Sequence, residues 1–351
     1  MNPIWKERLK RFAPKLGYPA FYLFCLGIFL SWTFPYDKLK ERIVAQFNAQ
    51  QRSASTPQQL EIDDLDSSFI TGVKAKGVRL IQPSKDPEKG PAVIAIDEAR
   101  ARISLLGLLV GHRNVSFHID AFDGVIKGKY EESSKARDVE VEFENVDLAR
   151  VDAIAQNVGF PLDGKLNGEV KLALPEGKAS KGNGTVNLEI KDMAAGKGAE
   201  FTVKTPMGPF TLPKLKIGSF TITGEAKDGK LALSKISSSG GDIDLSGDGK
   251  VQLREVATDA NLDVNLKFKI NDSYRGKNDK TKLLFGTPGG KDKPMVDMML
   301  KSKTSDGQYN LRVGGTLGNP KPDTSGGGTL KLPGLPPRAS APAPPAGDDT
   351  P

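Results

Sequence analysis

Apolar and polar residues alternate with a period of two from Leu60 to Pro320. This is the pattern of β-strands that bury one face and expose the other. The longest run, Leu262–Ile270, has its five apolar residues at even positions, with Asp, Asn and Lys between them. Shorter runs of the same kind lie at 139–143, 170–174 and 186–190. Because antiparallel sheets commonly have one buried and one solvated face, the pattern predicts a mainly β, antiparallel domain.

Gly-containing dipeptides separate the alternating runs and predict tight turns. They are Asp163-Gly164, Asp228-Gly229, Gly240-Gly241, Asp248-Gly249 and Asp306-Gly307. A Gly-rich turn followed by alternating apolar residues recurs at irregular spacing between residues 162 and 256. The irregular spacing argues against a strict solenoid and favours a meander extended hairpin by hairpin. We expect such an extended sheet to curl into a groove with an apolar concave face.

Three segments depart from the alternation. Residues 37–52 carry an apolar stripe of helical period, which predicts an amphipathic helix. The segment Asp147–Gly159 predicts a helix, because Asp is a favourable N-cap and Gly suits the C-terminal left-handed position. The apolar segment Ser104–Gly111 is too short to span a membrane, so it predicts either a buried helical turn or an interfacial plug.

The segment Leu16–Tyr36 contains twenty-one residues without a charge, enough for a helix to cross the ~30 Å core of a bilayer. Five basic residues against one Glu precede it, so the positive-inside rule places the N-terminus in the cytoplasm and exports the rest. A cleaved signal peptide is the alternative, but large residues occupy the place of a small-residue cleavage site. The predicted order is a basic tail (1–15), an uncleaved anchor (16–36), an amphipathic helix and linker (37–57), a periplasmic β domain (58–320) and a disordered Pro/Gly/Ala-rich tail (321–351).

The net charge of +7 is concentrated in two places. One is the N-terminal tail, and the other is 267–303, with ten Lys or Arg against four Asp. The second segment lacks the interleaved aromatic residues of a nucleic-acid surface, so no nucleic-acid partner is expected. It predicts a solvated loop, with contact to anionic lipid headgroups as the alternative. The only cysteine, Cys25, lies in the anchor, so the exported domain is expected to fold without an internal disulfide.

Candidate chemistry is sparse. His112 and His118 lack the further ligands of a metal site. The acidic pairs Asp63-Asp64 and Glu131-Glu132 predict solvated turns rather than a catalytic dyad. The Gly-rich segment 286–293 lacks the Gly-Lys-Ser/Thr ending of a phosphate-binding loop, and the nucleophile-elbow motif is absent from the sequence. The sequence therefore predicts a protein that is not an enzyme, with no catalytic residue, metal site or cofactor.

The order of the motifs resembles AsmA-like periplasmic proteins and the type II secretion system protein N (GspN) family. After the anchor and amphipathic helix comes LEIDDLDSSFITGVKAKGVRL at 60–80. A Leu-rich turn and strand pair with the spacing A-x-x-G-x-I-x-G lie within 96–130. A strand, an Asp-Leu segment and the pattern L-x-G-x-L-x-G come next within 141–175, and VGGTLGNPKP at 313–322 resembles the closing strand. Length favours the secretion family over the much larger AsmA proteins.

The resemblance implies a non-catalytic scaffold or assembly factor of the type II secretion system, with one transmembrane helix in the Gram-negative inner membrane and an extended, curled periplasmic sheet with a few short helices. The implied partners are the inner membrane and other type II secretion subunits. An AsmA-like lipid-binding or lipid-transfer protein, with phospholipid as its ligand, is the alternative. The apolar face separates the two: an open face favours lipid, whereas a filled or polar one favours the scaffold.

Overall fold

The computed structural model describes residues 17–19, 21–22, 24–29, 32–51, 57–68, 71–82, 90–151, 154–155, 160–205, 208–290, 294–299, 303–304 and 307–323. The helices are α1 (Tyr36–Gln51), α2 (Leu105–Leu109), α3 (Asp272–Arg275), α4 (Asp279–Phe285) and α5 (Met295–Met299). The strands are β1 (Gln59–Ser68), β2 (Gly72–Gln82), β3 (Ala92–Ile103), β4 (Arg113–Ala121), β5 (Gly124–Glu132), β6 (Ala136–Asp147), β7 (Leu162–Pro175), β8 (Asn183–Thr205), β9 (Gly208–Lys227), β10 (Lys230–Ser239), β11 (Ile243–Gln252), β12 (Asn261–Ile270), β13 (Tyr309–Thr316) and β14 (Asn319–Asp323).

The fourteen strands form one antiparallel sheet, and their order in space is their order in the chain. The predicted mainly β fold and meander are therefore confirmed. At a strand spacing of about 4.8 Å, the sheet spans roughly 60 Å from β1 to β14. Consecutive strands join at alternate ends of the sheet. We call the end where β3 joins β4 the α2 end, and the opposite end, where β12 joins β13, the α4 end.

The predicted turns are only partly right. Asp228-Gly229 joins β9 to β10 with φ of 49° and 74°, and Gly240-Gly241 lies between β10 and β11. Asp163-Gly164 and Asp248-Gly249 instead lie inside β7 and β11. Gly164 has φ of 136° where the β7–β8 register shifts, so it permits a bulge rather than a turn. Of the fifth pair, Asp306 lies outside the described residues.

Helix α1 occupies the segment that was predicted to form an amphipathic helix, and it lies along the outer edge of β1. The Asn48 amide accepts a 2.8 Å hydrogen bond from Leu60 N and donates a 3.4 Å bond to Leu60 O. Eight residues earlier, Lys40 Nζ donates to Asp63 O at 3.0 Å. Since Lys40 precedes Asn48 whereas Asp63 comes after Leu60, α1 runs antiparallel to β1. The helix satisfies backbone groups at an edge that would otherwise invite pairing with another strand.

Under α1 lies a small core, the α1 cluster, formed by Leu65, Ala75 and Val78 with Leu39 packed against them. The buried positions in β2 are three residues apart rather than two, because Gly77 between them has φ of 60° and changes the side of the sheet that the next residues face. The predicted acidic turn at Asp63-Asp64 is wrong, since both residues lie within β1.

A larger core, the α4 cluster, lies on the sheet at the α4 end. Its buried members are Ala195, Phe201, Leu212, Leu284, Met295, Val296 and Tyr309. Tyr274 is fully buried beside it, and its hydroxyl donates a 2.6 Å hydrogen bond to Pro213 O. Helix α4 begins with a capping box in which Asn278 and Thr281 each bond the other's backbone N–H.

The α4 cluster corrects the prediction of a solvated loop over 267–303. Lys267 and Lys269 lie in β12, and the described residues between β12 and β13 include α3, α4 and α5. The apolar residues of these helices cover the sheet, while most of the lysines face solvent. The basic composition therefore marks the outer surface of a packed layer.

Two further boundaries differ from the predicted ones. The helix predicted for Asp147–Gly159 starts as a 3-10 turn at Leu148–Arg150, with Asp147 as its N-cap, and Val151 leaves the helical conformation at φ −96° and ψ 82°. The continuous helix is therefore wrong, although residues 154–155 are helical and 156–159 lie outside the described residues. Strand β14 extends to Asp323, three residues into the predicted tail, and 324–351 are outside the described residues.

The predicted anchor lies only partly within the described residues. Those of residues 17–33 that are described are helical, and their large side chains are exposed, Trp32 to 91%. Among the described residues, none of the helices combines the length and the apolar character needed to cross a membrane.

Candidate functional site

The middle of the sheet has an apolar side and a charged side. Across strands β4–β9, the pairing register places apolar side chains on the same side of the sheet. We call this side the open face. Its members are Val115, Phe117, Ile119, Ile126, Tyr130, Val139, Val141, Phe143, Val170, Leu172, Val186, Leu188 and Ile222. Each of these side chains is partly accessible, and none is fully buried.

The open face lies between two covered regions. On one flank α1 packs against β1 and the α1 cluster, and on the other α4 and α5 pack against the α4 cluster. Within the described part of the chain, neither cluster includes a residue of β4, β5 or β6. The open face is therefore a shallow apolar floor between two helical walls.

Glycines on the open face let large neighbours lie flat against the sheet. Gly128 is paired with Phe117, and a Cβ at position 128 would overlap the Phe117 ring. Gly168 and Gly184 lie where a Cβ would meet the backbone of the neighbouring strand. These three glycines therefore lie within strands and let the neighbouring groups approach the sheet closely, whereas Gly229 and Gly240 lie in turns.

The opposite side of the same strands carries a continuous charged ladder and a cavity of about 500 Å³. The charged and polar residues that line the cavity are Arg100, Arg102, Ser116, His118, Lys127, Lys129, Glu140, Glu142 and Glu169. Among the residues that line the cavity, the basic ones lie on β3–β5 and the acidic ones on β6 and β7. Alternation predicts which of these residues share a side within one strand. The sequence does not predict the pairing register between strands, and it is this register that lines the charges up into a ladder.

Ion pairs fix the charges of this ladder. The hydrogen bond from Lys74 lowers the pKa of Glu98, whose contacts with Lys74 and Arg100 are 2.6 and 2.5 Å. The hydrogen bond to Glu144 raises the pKa of Lys127, and that to Glu169 raises the pKa of Lys171. These shifts move the pKa values of Glu98, Lys127 and Lys171 further from neutrality, whereas general acid–base catalysis needs a pKa near the working pH.

The residues considered for chemistry do not converge. His118 Nε2 lies 3.3 Å from Asp120 Oδ1, and His112 is exposed in the β3–β4 connection. Glu132, at the end of β5, pairs with Arg113 and Arg137. Within the described ranges, there is no group of three or more His, Cys, Asp or Glu residues that could hold a metal ion.

Comparison of the chain with models of protein families, with curated proteins and with solved structures gives no match in any of the three. The resemblance to AsmA-like and type II secretion system N proteins therefore stays a prediction.

Proposed function

We propose that this protein is a non-catalytic, membrane-anchored component of the Gram-negative envelope that holds lipid acyl chains on its open face. The single observation that carries the proposal is the accessible apolar floor on β4–β8, bounded by helical walls. Contiguous exposed apolar surface on a protein commonly marks a binding site. Each CH₂ of an acyl chain removed from water there would contribute about 0.8 kcal/mol.

The proposed attachment is an uncleaved helix over Leu16–Tyr36 in the inner membrane, with the N-terminus cytoplasmic and the sheet periplasmic. It is supported by the uncharged run, the basic residues before it and the outward-facing apolar side chains of its described part. A reporter active only in the periplasm, fused after Arg52, is expected to be active. The full chain should stay in the membrane after alkaline extraction, and release of a shortened soluble form would contradict the anchor.

Photo-crosslinking in intact cells tests the lipid proposal without removing the anchor. Val141→p-benzoylphenylalanine places the photoreactive group on the open face, and Glu142→p-benzoylphenylalanine, the matched control, places it on the charged side. Mass spectrometry should find a phospholipid adduct at position 141 and none at 142. Adducts at neither position, or equally at both, would contradict the proposal.

The charged ladder favours a second candidate, a scaffold of the type II secretion system. An ordered charged surface with a cavity suits a protein partner of complementary charge. Strand addition is an unfavourable docking mode, because α1 covers β1 and β14 carries Pro320 and Pro322. For this candidate, the group at position 142 should capture a known secretion-platform subunit. Capture of that subunit, with no lipid at 141, would replace the first proposal with this one.

A further inference from the structure

The connection between β3 and β4 exposes three consecutive large apolar side chains. Leu108, Leu109 and Val110 are 47%, 82% and 71% exposed at the end of α2. The sequence predicts a buried turn or an interfacial plug for Ser104–Gly111, and the exposure of Leu108–Val110 favours the plug. We call these three residues the apolar tip.

Internal hydrogen bonds hold the apolar tip in place. Ser104 Oγ accepts from Gly107 N at 3.2 Å, and Gly107 O accepts from His112 N at 2.8 Å. Gly107 is buried, and a Cβ at that position would approach His112 O to 3.1 Å. The turn is thus closed by its own backbone and cap, while Leu108, Leu109 and Val110 are exposed.

The apolar tip lies at the end of the sheet toward which the N-terminal segment is directed. Because α1 runs antiparallel to β1, its first residue, Tyr36, points toward the end of β1 at Ser68. Strands β1 and β3 both finish at this end, the α2 end. Two to three strand spacings, roughly 10–15 Å, separate β1 from the β3–β4 connection.

A basic side chain close to the apolar tip suits the surface of a bilayer. After Gly111 come His112 and Arg113, and the Arg113 side chain is largely exposed despite its 3.3 Å contact with Glu132. Apolar side chains with basic ones next to them match the boundary between acyl chains and anionic headgroups.

We infer that the apolar tip inserts into the interface of the membrane that holds the N-terminal anchor. This second contact would orient the α2 end of β1–β4 toward the bilayer, with the later strands extending away from it. The inference rests on the proposed membrane attachment, but it is independent of whether the open face binds lipid.

Site-specific fluorescence in vesicles tests this inference on the full chain. In a Cys25→Ser background, Leu109→Cys is labelled with the environment-sensitive dye NBD, and the protein is inserted into phosphatidylcholine–phosphatidylglycerol vesicles. The control is Ser273→Cys, an exposed position in α3 at the opposite end. We expect blue-shifted emission at position 109 and quenching by nitroxide-labelled lipid, with water-like emission at 273.

Flotation of the same vesicles distinguishes failure of the tip to insert from failure of the membrane attachment. If the chain floats with the vesicles but the label at 109 emits like that at 273, the attachment stands and the apolar tip does not insert. If the chain does not float, the attachment is wrong and the inference falls with it. Equal blue shifts at both positions would also overturn it, because they would place opposite ends of the sheet at the membrane.

Discussion

The α4 cluster and the open face consist of strands with the same alternating pattern, but among the described residues only the cluster carries a helical layer. In β9, Leu212 is 1% exposed beneath that layer. In β6, Val141 is paired with Val170 of β7 on one side and Gly128 of β5 on the other, and it remains partly accessible. Alternation thus determines which side of a strand is apolar, whereas distant segments of the chain determine whether that side is buried.

The covering layer also explains why buried polar contacts concentrate at the α4 end. Tyr274 needs a partner for its hydroxyl because it is enclosed, and Pro213, which cannot donate, offers its carbonyl. Tyr309 donates a hydrogen bond to Asp297 in α5. On the open face Tyr130 remains partly accessible, so water can satisfy its hydroxyl. If lipid occupied the open face, the two regions would become alike.

Introducing a charge should produce the largest difference in stability loss between the α4 cluster and the open face. Leu212→Asp places a carboxylate inside the α4 cluster and should reduce the free energy of unfolding by more than about 3 kcal/mol. Val141→Asp, the matched change on the open face, should cost less than about 2 kcal/mol because water still reaches that position. Thermal unfolding of the detergent-solubilised chain measures both. Equal losses would mean that the open face is covered in solution.

Adding one methyl group to the floor should have the next largest effect. At Gly128 the new Cβ would lie 2.6 Å from Glu140 O and overlap the Phe117 ring, so Gly128→Ala should cost about 1–3 kcal/mol. Gly314→Ala is the control, since its only neighbour is Leu262 O at 3.9 Å, and it should change stability by less than about 0.5 kcal/mol. A neutral Gly128→Ala would show that Phe117 is not held against the sheet.

Alkaline pH should weaken the α4 cluster selectively. Burial, and then the charge of Asp242, raises the pKa of Tyr274, and burial, with the hydrogen bond to Asp297, raises that of Tyr309. A folded-state pKa above the unfolded value of about 10 means that the stabilisation is complete below pH ~10 and is lost as the pH rises above it.

The expected loss is roughly 1 kcal/mol per tyrosine for one pH unit above ~10. Tyr274→Phe and Tyr309→Phe should each reduce the fall in thermal midpoint between pH ~9 and ~11. An unchanged alkaline slope in the two buried variants would contradict the enclosure of these rings.

The sequence was sufficient for the mainly β class and the antiparallel meander, because alternation marks several strands and most of the connections are too short to skip a neighbour. It misplaced turns at Asp63-Asp64, Asp163-Gly164 and Asp248-Gly249, which lie within strands. The sequence was insufficient for the α4 cluster. The many Lys and Gly residues around α3–α5 are typical of a loop, and the apolar groups there, such as Leu283–Phe285, are too short to predict helices on their own. It also left the open face undetermined, since an alternating strand has the same pattern whether its apolar side meets a helix, a lipid or water. The charged ladder depends on cross-strand register, which composition does not encode.

The smallest expected effect tests the register of β12, which packs against the α4 cluster through Phe268. Lys267 is exposed between Ser246 and Asn310 on the charged side, whereas Leu266 lies between Gly247 and Leu311 on the apolar side. Lys267→Asp should therefore change the free energy of unfolding by less than about 0.5 kcal/mol, since it exchanges one solvated charge for another. Leu266→Asp, one residue away, should cost more than about 2 kcal/mol, because its carboxylate would face Leu311 and lack a partner. A one-residue slip moves every side chain of a strand to the other side of the sheet. Similar midpoint shifts in these two variants would therefore mean that the apolar side of β12 is not the one that faces the α4 cluster.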